Sequence, residues 1–128
     1  IRLVSRKQAS CADRRRIRSV SRGSRQLLGL TAAIARAETS ALVLDEPWEG
    51  LDPDASRWLS ESLRRKRAEG CASLVSSHRL HDLAGLCDRY AFLFEGRVVA
   101  RAATELATGD VRGEDLLAAF DLMRSPER

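Results

Sequence analysis

The aliphatic run Ala41-Leu42-Val43-Leu44 stops abruptly at Asp45-Glu46-Pro47, and this junction constrains the fold more than any other feature of the chain. So short and so apolar a run is expected to form a strand buried on both faces, as strands of parallel sheets are, with its carboxyl end opening onto charge. The pattern recurs once, where Cys71-Ala72-Ser73-Leu74-Val75 reads as a second buried strand running into Ser76-Ser77-His78. Between the two lie the turn-rich Glu49-Gly50-Leu51-Asp52-Pro53 and a segment in which Ala55, Trp58, Leu59, Ser62 and Leu63 recur at helical spacing. Glu61 stands four residues before Arg65 in that helix, and Gly70 supplies its stop. Strand, crossover helix and strand form the unit of an α/β parallel sheet, whose connections are right-handed and whose ligands bind at the carboxyl ends of the strands. Asp45, Glu46 and His78 all fall at such ends.

On either side the pattern continues. Leu27, Leu30 and Ile34 predict a helix over Arg25 to Arg36, with Ser21 or Ser24 as its cap. Leu80, Leu83, Ala84 and Cys87 give a short helical stripe, and Tyr90 to Phe94 a third strand. Glu95-Gly96 breaks that run before Val98-Val99, which predicts a hairpin, and Leu116, Leu117, Phe120 and Met123 mark a last helix. The expected order is helix, β, α, β, α, β, β, α, in a chain whose 128 residues suit one modest domain or part of one.

Composition narrows the function classes. Uncharged stretches such as Leu27 to Ala35 fall short of the roughly 18 to 20 apolar residues of a membrane-spanning helix. The opening Ile1-Arg2-Leu3-Val4-Ser5-Arg6-Lys7 lacks the apolar core of a secretory signal, and a chain that does not begin with Met reads as a truncated or excised segment. Cys11, Cys71 and Cys87 form no CxxC pair, so buried reduced thiols are expected rather than disulfides or zinc. The net charge of +4 is unevenly spread: residues 1 to 36 carry ten Arg/Lys against Asp13, a balance of +9 that leaves −5 for the remainder. The basic block around Arg14-Arg15-Arg16 and Arg18 could attract nucleic acid or anionic lipid, but it has no aromatic residue to stack on bases, and a solvated helical face or docking surface is the preferred reading.

Two adjacent carboxylates at the end of a buried strand need a cation or a reacting group beside them, because an unpaired buried charge is costly. Neighbouring side chains of a strand point in opposite directions, so Asp45 and Glu46 are expected to take different tasks, one holding a metal through water and the other facing a nucleophilic water. A plain surface turn is the alternative for this Asp-Glu-Pro sequence.

The surroundings carry a resemblance. Ala41-Leu42-Val43-Leu44-Asp45-Glu46-Pro47 resembles the Walker B strand of the ATP-binding-cassette ATPases, and Gly50-Leu51-Asp52-Pro53 resembles their D-loop. Val20-Ser21-Arg22-Gly23-Ser24-Arg25-Gln26 is similar to the LSGGQ signature, with Arg22 in place of the first Gly and Ser24 in place of Gln, as in some exporter-type members. Ser76-Ser77-His78 resembles the switch histidine, and the likeness runs from about Ala12 to Ala100. It implies a partial P-loop NTPase (RecA-like) sheet with flanking helices and part of the helical signature subdomain. Residues 1–36 would form the signature region, 37–101 half of the catalytic αβ core, and 102–128 a C-terminal helical tail.

In this family Asp45 would orient Mg2+ through water, Glu46 would polarise the attacking water, and His78 would contact the γ-phosphate. Ser21 and Gly23 would meet the γ-phosphate of ATP bound on an opposing subunit, at a helix N-terminus suited to anions, although a simple cap uses the same amides. Asp52 would align the dimer interface, and Trp48 would fill core or interface. The implied partners are transmembrane permease subunits and a second nucleotide-binding domain, at the cytoplasmic face of the membrane, with nucleic acid an unlikely one.

A phosphate-binding loop of the form G-x-x-x-x-G-K-[ST] is not found. Neither Lys7 nor Lys66, the two lysines present, sits in such a context. The chain therefore resembles the C-terminal half of a nucleotide-binding domain. In the family's sheet the strand leading to that loop separates the strand ending at His78 from Tyr90 to Phe94, which would leave both with open edges. Two other readings stand beside a transporter ATPase: a truncated subunit that lends its signature to a full-length partner without hydrolysing ATP, and a non-transport member of the superfamily acting on DNA or ribosomes.

Overall fold

The computed structural model describes residues 21–36 and 39–124. The basic block, Cys11 and Val20 lie outside them. The elements are α1 (Arg22–Ile34), β1 (Ala41–Leu44), α2 (Pro53–Ala68), β2 (Ala72–Val75), α3 (Leu80–Leu83), β3 (Arg89–Phe94), β4 (Arg97–Ala102), α4 (Ala103–Leu106) and α5 (Gly113–Arg124). The order matches expectation except for α4, a single turn whose Ala-Thr-Glu-Leu sequence shows no periodicity long enough to read.

Helix α1 begins three residues before its expected start because Ser21, rather than Ser24, is the cap: the Ser21 hydroxyl accepts the Ser24 amide at 3.2 Å. Helix α2 is closed at both ends by its own sequence. Asp52 caps it, Pro53 opens it, and Arg65, Lys66 and Arg67 face the negative end of its dipole. Beyond it Gly70 turns left-handed (φ 86°), letting the Cys71 amide reach back to the Lys66 carbonyl at 2.9 Å.

Strands β1 and β2 pair in parallel, Ala41 to Leu44 against Ala72 to Val75. Leu30 and Ile34 of α1, Leu42 of β1, and Leu59 and Leu63 of α2 form one core with Trp48 and Leu86. The expectation of strands buried on both faces is not met. Val43 is 76% exposed and its register partner Leu74 is 68% exposed, while Ala41, Ala72 and Ser73 are open as well. Helices α1 and α2 share one core with the face that carries Leu42, Leu44 and Val75, and among the described residues nothing covers Val43 and Leu74 on the opposite face.

Strands β3 and β4 form an antiparallel hairpin whose turn residues Glu95 (φ 47°) and Gly96 (φ 76°) are both left-handed, the geometry that matches strand twist. Tyr90 and Phe92 pack with Val111 and Leu116 in a second core, and Leu83 and Cys87 border both cores. In α5, Leu116, Phe120 and Met123 point inward, whereas Leu117, expected on the same stripe, is half exposed. Arg67 of α2 ties the two halves, donating to the Leu86 carbonyl at 3.3 Å and pairing with Asp88. The two sheets share no strand pairing, so β2 and β3 are not neighbours in one ladder. Among the described residues, Cys71 is a buried free thiol, whereas Cys87, expected to be buried, is a half-buried one.

Candidate functional site

The carboxyl ends of β1 and β2 lie side by side because the parallel ladder continues one residue past the strands: the Ser76 amide donates to the Leu44 carbonyl at 2.9 Å. This sets Ser76 beside Asp45. The Ser76 hydroxyl donates to Asp45 Oδ1 and accepts the Glu46 amide at 3.0 Å. Glu46 itself adopts a left-handed backbone (φ 44°), a costly conformation for a residue with a side chain. The two carboxylates are therefore separated by a sharp turn and not by strand pleating, which corrects the sequence-based account of their divergence. Strand β1 has already ended at Leu44.

Past the turn, Pro47 and Trp48 are buried, and Trp48 donates from Nε1 to Ser60 Oγ at 3.2 Å, which makes it a core residue. The turn aims the Glu46 carboxylate at the segment after β2. Its Oε1 accepts the His78 amide at 2.8 Å and its Oε2 lies 2.9 Å from His78 Nδ1. The imidazole stays largely open to solvent. A carboxylate held on both the backbone and the ring of a histidine orients that ring and selects the tautomer with its proton on Nδ1. An exposed carboxylate–imidazole pair of this kind can accept and hold a proton.

Ser21, Gly23 and Asp52 do not join this cluster. They lie on or beside the turn that leads away from it. A Cβ on Gly23 would stand 2.3 Å from the Gly50 carbonyl oxygen, so α1 meets the turn backbone to backbone. Arg22 donates to Glu49 Oε1 at 2.8 Å, and Gln26 reaches the Pro47 carbonyl at 3.5 Å. The Ser21 hydroxyl is engaged with the Ser24 amide and, at 2.8 Å, with the Ser24 hydroxyl. Asp52 Oδ1 accepts the Ala55 amide at 2.8 Å as the α2 cap. Three contacts thus fasten the N-terminus of α1 to residues 47–50, between Glu46 and Asp52.

Among the described residues no group of three or more His, Cys, Asp or Glu could hold a metal ion by itself. Asp45 supplies a hard carboxylate oxygen, the donor that suits a cation keeping most of its water and taking the rest of its ligands from substrate phosphates. Sequence reasoning did not assign a role to Ser76, nor did it find the Arg22–Glu49 pair or the Gly23–Gly50 contact. The parallel register that sets Ser76 opposite Asp45 was the signal available for the first. The other two join residues 27 positions apart with no pattern between them.

Residues 12–81 match the family described as "AAA domain, putative AbiEii toxin, Type IV TA system". The chain is 33% identical over 87 residues to the lantibiotic transport ATP-binding protein SrtF of Streptococcus pyogenes, a match covering 68% of this chain and 38% of that protein. It is 36% identical over 88 residues to the Nod factor export ATP-binding protein I of Burkholderia orbicola, covering 69% and 29%. With the SkfA peptide export ATP-binding protein SkfE of Bacillus subtilis it shares 35% over 80 residues, covering 62% and 33%. The chain thus spans about a third of the length of these curated relatives. The matched stretch holds the Asp45-Glu46 strand end, the Gly50-Leu51-Asp52-Pro53 turn and the Ser76-Ser77-His78 segment, and the chain belongs to the AAA-type P-loop NTPases, on the branch of the ATP-binding-cassette ATPases.

Proposed function

We propose that this chain carries the water-activating and signature portion of an ATPase that energises a membrane transporter of exporter type. The observation that carries this reading is the double hold of Glu46 on His78, at 2.8 and 2.9 Å, beside Asp45 at the end of a parallel strand. Glu46 accepts a proton from the water that attacks the γ-phosphate. Two carboxylate oxygens have lone pairs enough to keep His78 and a water together. His78 orients Glu46 and presents its ring to the phosphate, where positioning and charge stabilisation do most of the work of phosphoryl transfer. Asp45 would hold Mg2+ through water, and the ion would supply charge neutralisation of the phosphates.

Ser21 and Gly23 face the γ-phosphate of ATP held on a second nucleotide-binding domain, and Asp52 lies at the interface with it. The phosphate cradle, which these 128 residues do not contain, comes from another polypeptide segment. The relatives named for lantibiotic transport, Nod factor export and peptide export support export as the direction, with transmembrane permease subunits as partners and the cytoplasmic face of the membrane as location. Among the described residues no helix is long and apolar enough to cross a membrane.

The test is phosphate release by a domain assembled from this chain and a segment carrying the cradle. Glu46→Gln should lower turnover by about a hundredfold or more while ATP is still bound, because the amide keeps the shape but takes no proton. Parental turnover in Glu46→Gln would remove Glu46 from the reaction.

A further inference from the structure

We propose that Ser76 is a positioning residue, whose hydroxyl links the two carboxylates of the site and sets the direction of Glu46. The inference rests on the reading of Glu46 and His78 as the reacting pair. A serine hydroxyl has one proton to give and two lone pairs to offer. Here the proton goes to Asp45 Oδ1, which turns a lone pair toward the Glu46 amide at 3.0 Å. That bond holds Glu46 in its left-handed conformation, and such a conformation persists in a residue with a side chain only where its surroundings over-determine it. The Glu46 side chain then returns to the segment after β2 that supplied the serine, taking the amide and ring of His78 two residues beyond Ser76. The Ser76 hydroxyl donates to Asp45 while accepting from Glu46, so those two bonds strengthen each other, and the Glu46 carboxylate carries the chain of contacts on to His78. Among the described residues the Ser76 hydroxyl bonds to Asp45 and to the Glu46 amide, and not to the imidazole. Its effect is exerted through Glu46.

The imidazole reports this without any turnover. In alkaline solution, where histidine is neutral, nitrogen-15 shifts of His78 in the full 128-residue chain should show the proton mainly on Nδ1, facing Glu46. Ser76→Ala should move it toward the Nε2 form that an unpaired imidazole prefers, Ser76→Thr should keep it on Nδ1, and Ser76→Cys, with a weaker acceptor, should fall between. In a Glu46→Ala background Ser76→Ala should have no further effect, since the coupling runs through that carboxylate. An unchanged His78 tautomer in Ser76→Ala or Ser76→Cys, with the β1–β2 amide signals intact, would overturn the proposal. So would an equal response in the Glu46→Ala background. In the assembled domain, Ser76→Ala should lower kcat roughly tenfold with little change in KM for ATP, and Ser76→Thr should restore it. A loss that threonine does not restore counts against positioning. If the parental domain releases no phosphate, the ATPase reading fails while the tautomer measurement still decides the role of Ser76.

Discussion

Gly23 and Gly50 are in backbone contact: a single carbon added to Gly23 would stand 2.3 Å from the Gly50 carbonyl oxygen. Because the obstacle is backbone and not a flexible side chain, Gly23→Ala must push α1 away from the turn or distort the turn itself. The neighbouring Arg22–Glu49 bond would be strained with it. Overpacking of this kind costs about 1–3 kcal/mol. A lower urea midpoint for Gly23→Ala, with Gly29→Ala unharmed because no described residue lies within 4 Å of a side chain added there, is the expected result. Equal midpoints for Gly23→Ala and the parent would mean that the contact is loose.

Lys66 is the buried cation of the described core. Its Nζ donates to the Arg36 carbonyl at 3.1 Å and pairs with Glu69 at 3.0 Å, joining the C-terminal ends of α1 and α2. Lys66→Ala should cost about 1–3 kcal/mol by emptying the space of the stem and removing one of the bonds to that carbonyl, which the Thr39 hydroxyl also reaches at 3.0 Å, and Lys66→Met should recover the packing part of it. Thermal or urea unfolding of the two variants checks the order.

The same engagement removes Lys66 as a phosphate ligand, and no glycine-rich cradle surrounds Lys7 in the sequence. The 128-residue chain alone should therefore bind Mg-ATP far more weakly than micromolar. Titration calorimetry showing micromolar binding would require an anion site built from other residues.

Burial raises Tyr90 above its ordinary 10.0 and Cys87 above its ordinary 9.0, the latter helped by the negative charge of Asp88. Both groups are neutral when protonated and both are raised in the folded state. Their contribution to stability is complete below the unfolded values and declines as pH rises through the raised folded ones. Stability should fall on the alkaline side, and tyrosinate absorbance, which reports Tyr90 alone because it is the one tyrosine, should lag free tyrosine until unfolding. Tyr90→Phe should flatten that limb while losing the bond to the Leu83 carbonyl. A tyrosinate titration identical to that of free tyrosine would contradict the burial argument.

Val43 with Leu74, and Leu93 with Val98, are cross-strand pairs in which both partners are about 70% exposed. Among the described residues each of these strands pairs on one edge alone, and exposed apolar pairs beside such edges favour association. Sedimentation of the chain should show concentration-dependent oligomers, and threonine at Val43 and Leu74 together should shift it toward monomer. A strictly monomeric parent at high concentration would count against this.

Much of the architecture was legible because it is local. The Leu44–Asp45 junction, the Leu59 and Leu63 stripe, the Asp52-Pro53 start and Gly70 end of α2, and the Glu95-Gly96 turn each depend on neighbours a few residues away, and all appear where the sequence puts them. Burial was less legible. Val43 and Leu74 read as core by composition, yet composition says what a residue would prefer to touch and not whether anything is there to touch it.

The site divides in the same way. From sequence alone came the chemical inventory: two carboxylates after one strand, a histidine after another, and a crossover helix that makes the strands parallel. Which oxygen meets which proton was decided only in three dimensions, by the one-residue extension of the ladder that brings Ser76 to Asp45 and by the left-handed turn at Glu46 that aims its carboxylate at His78. Side-chain direction at a strand end depends on hydrogen bonds between segments 30 residues apart, and no periodicity along the chain records those bonds.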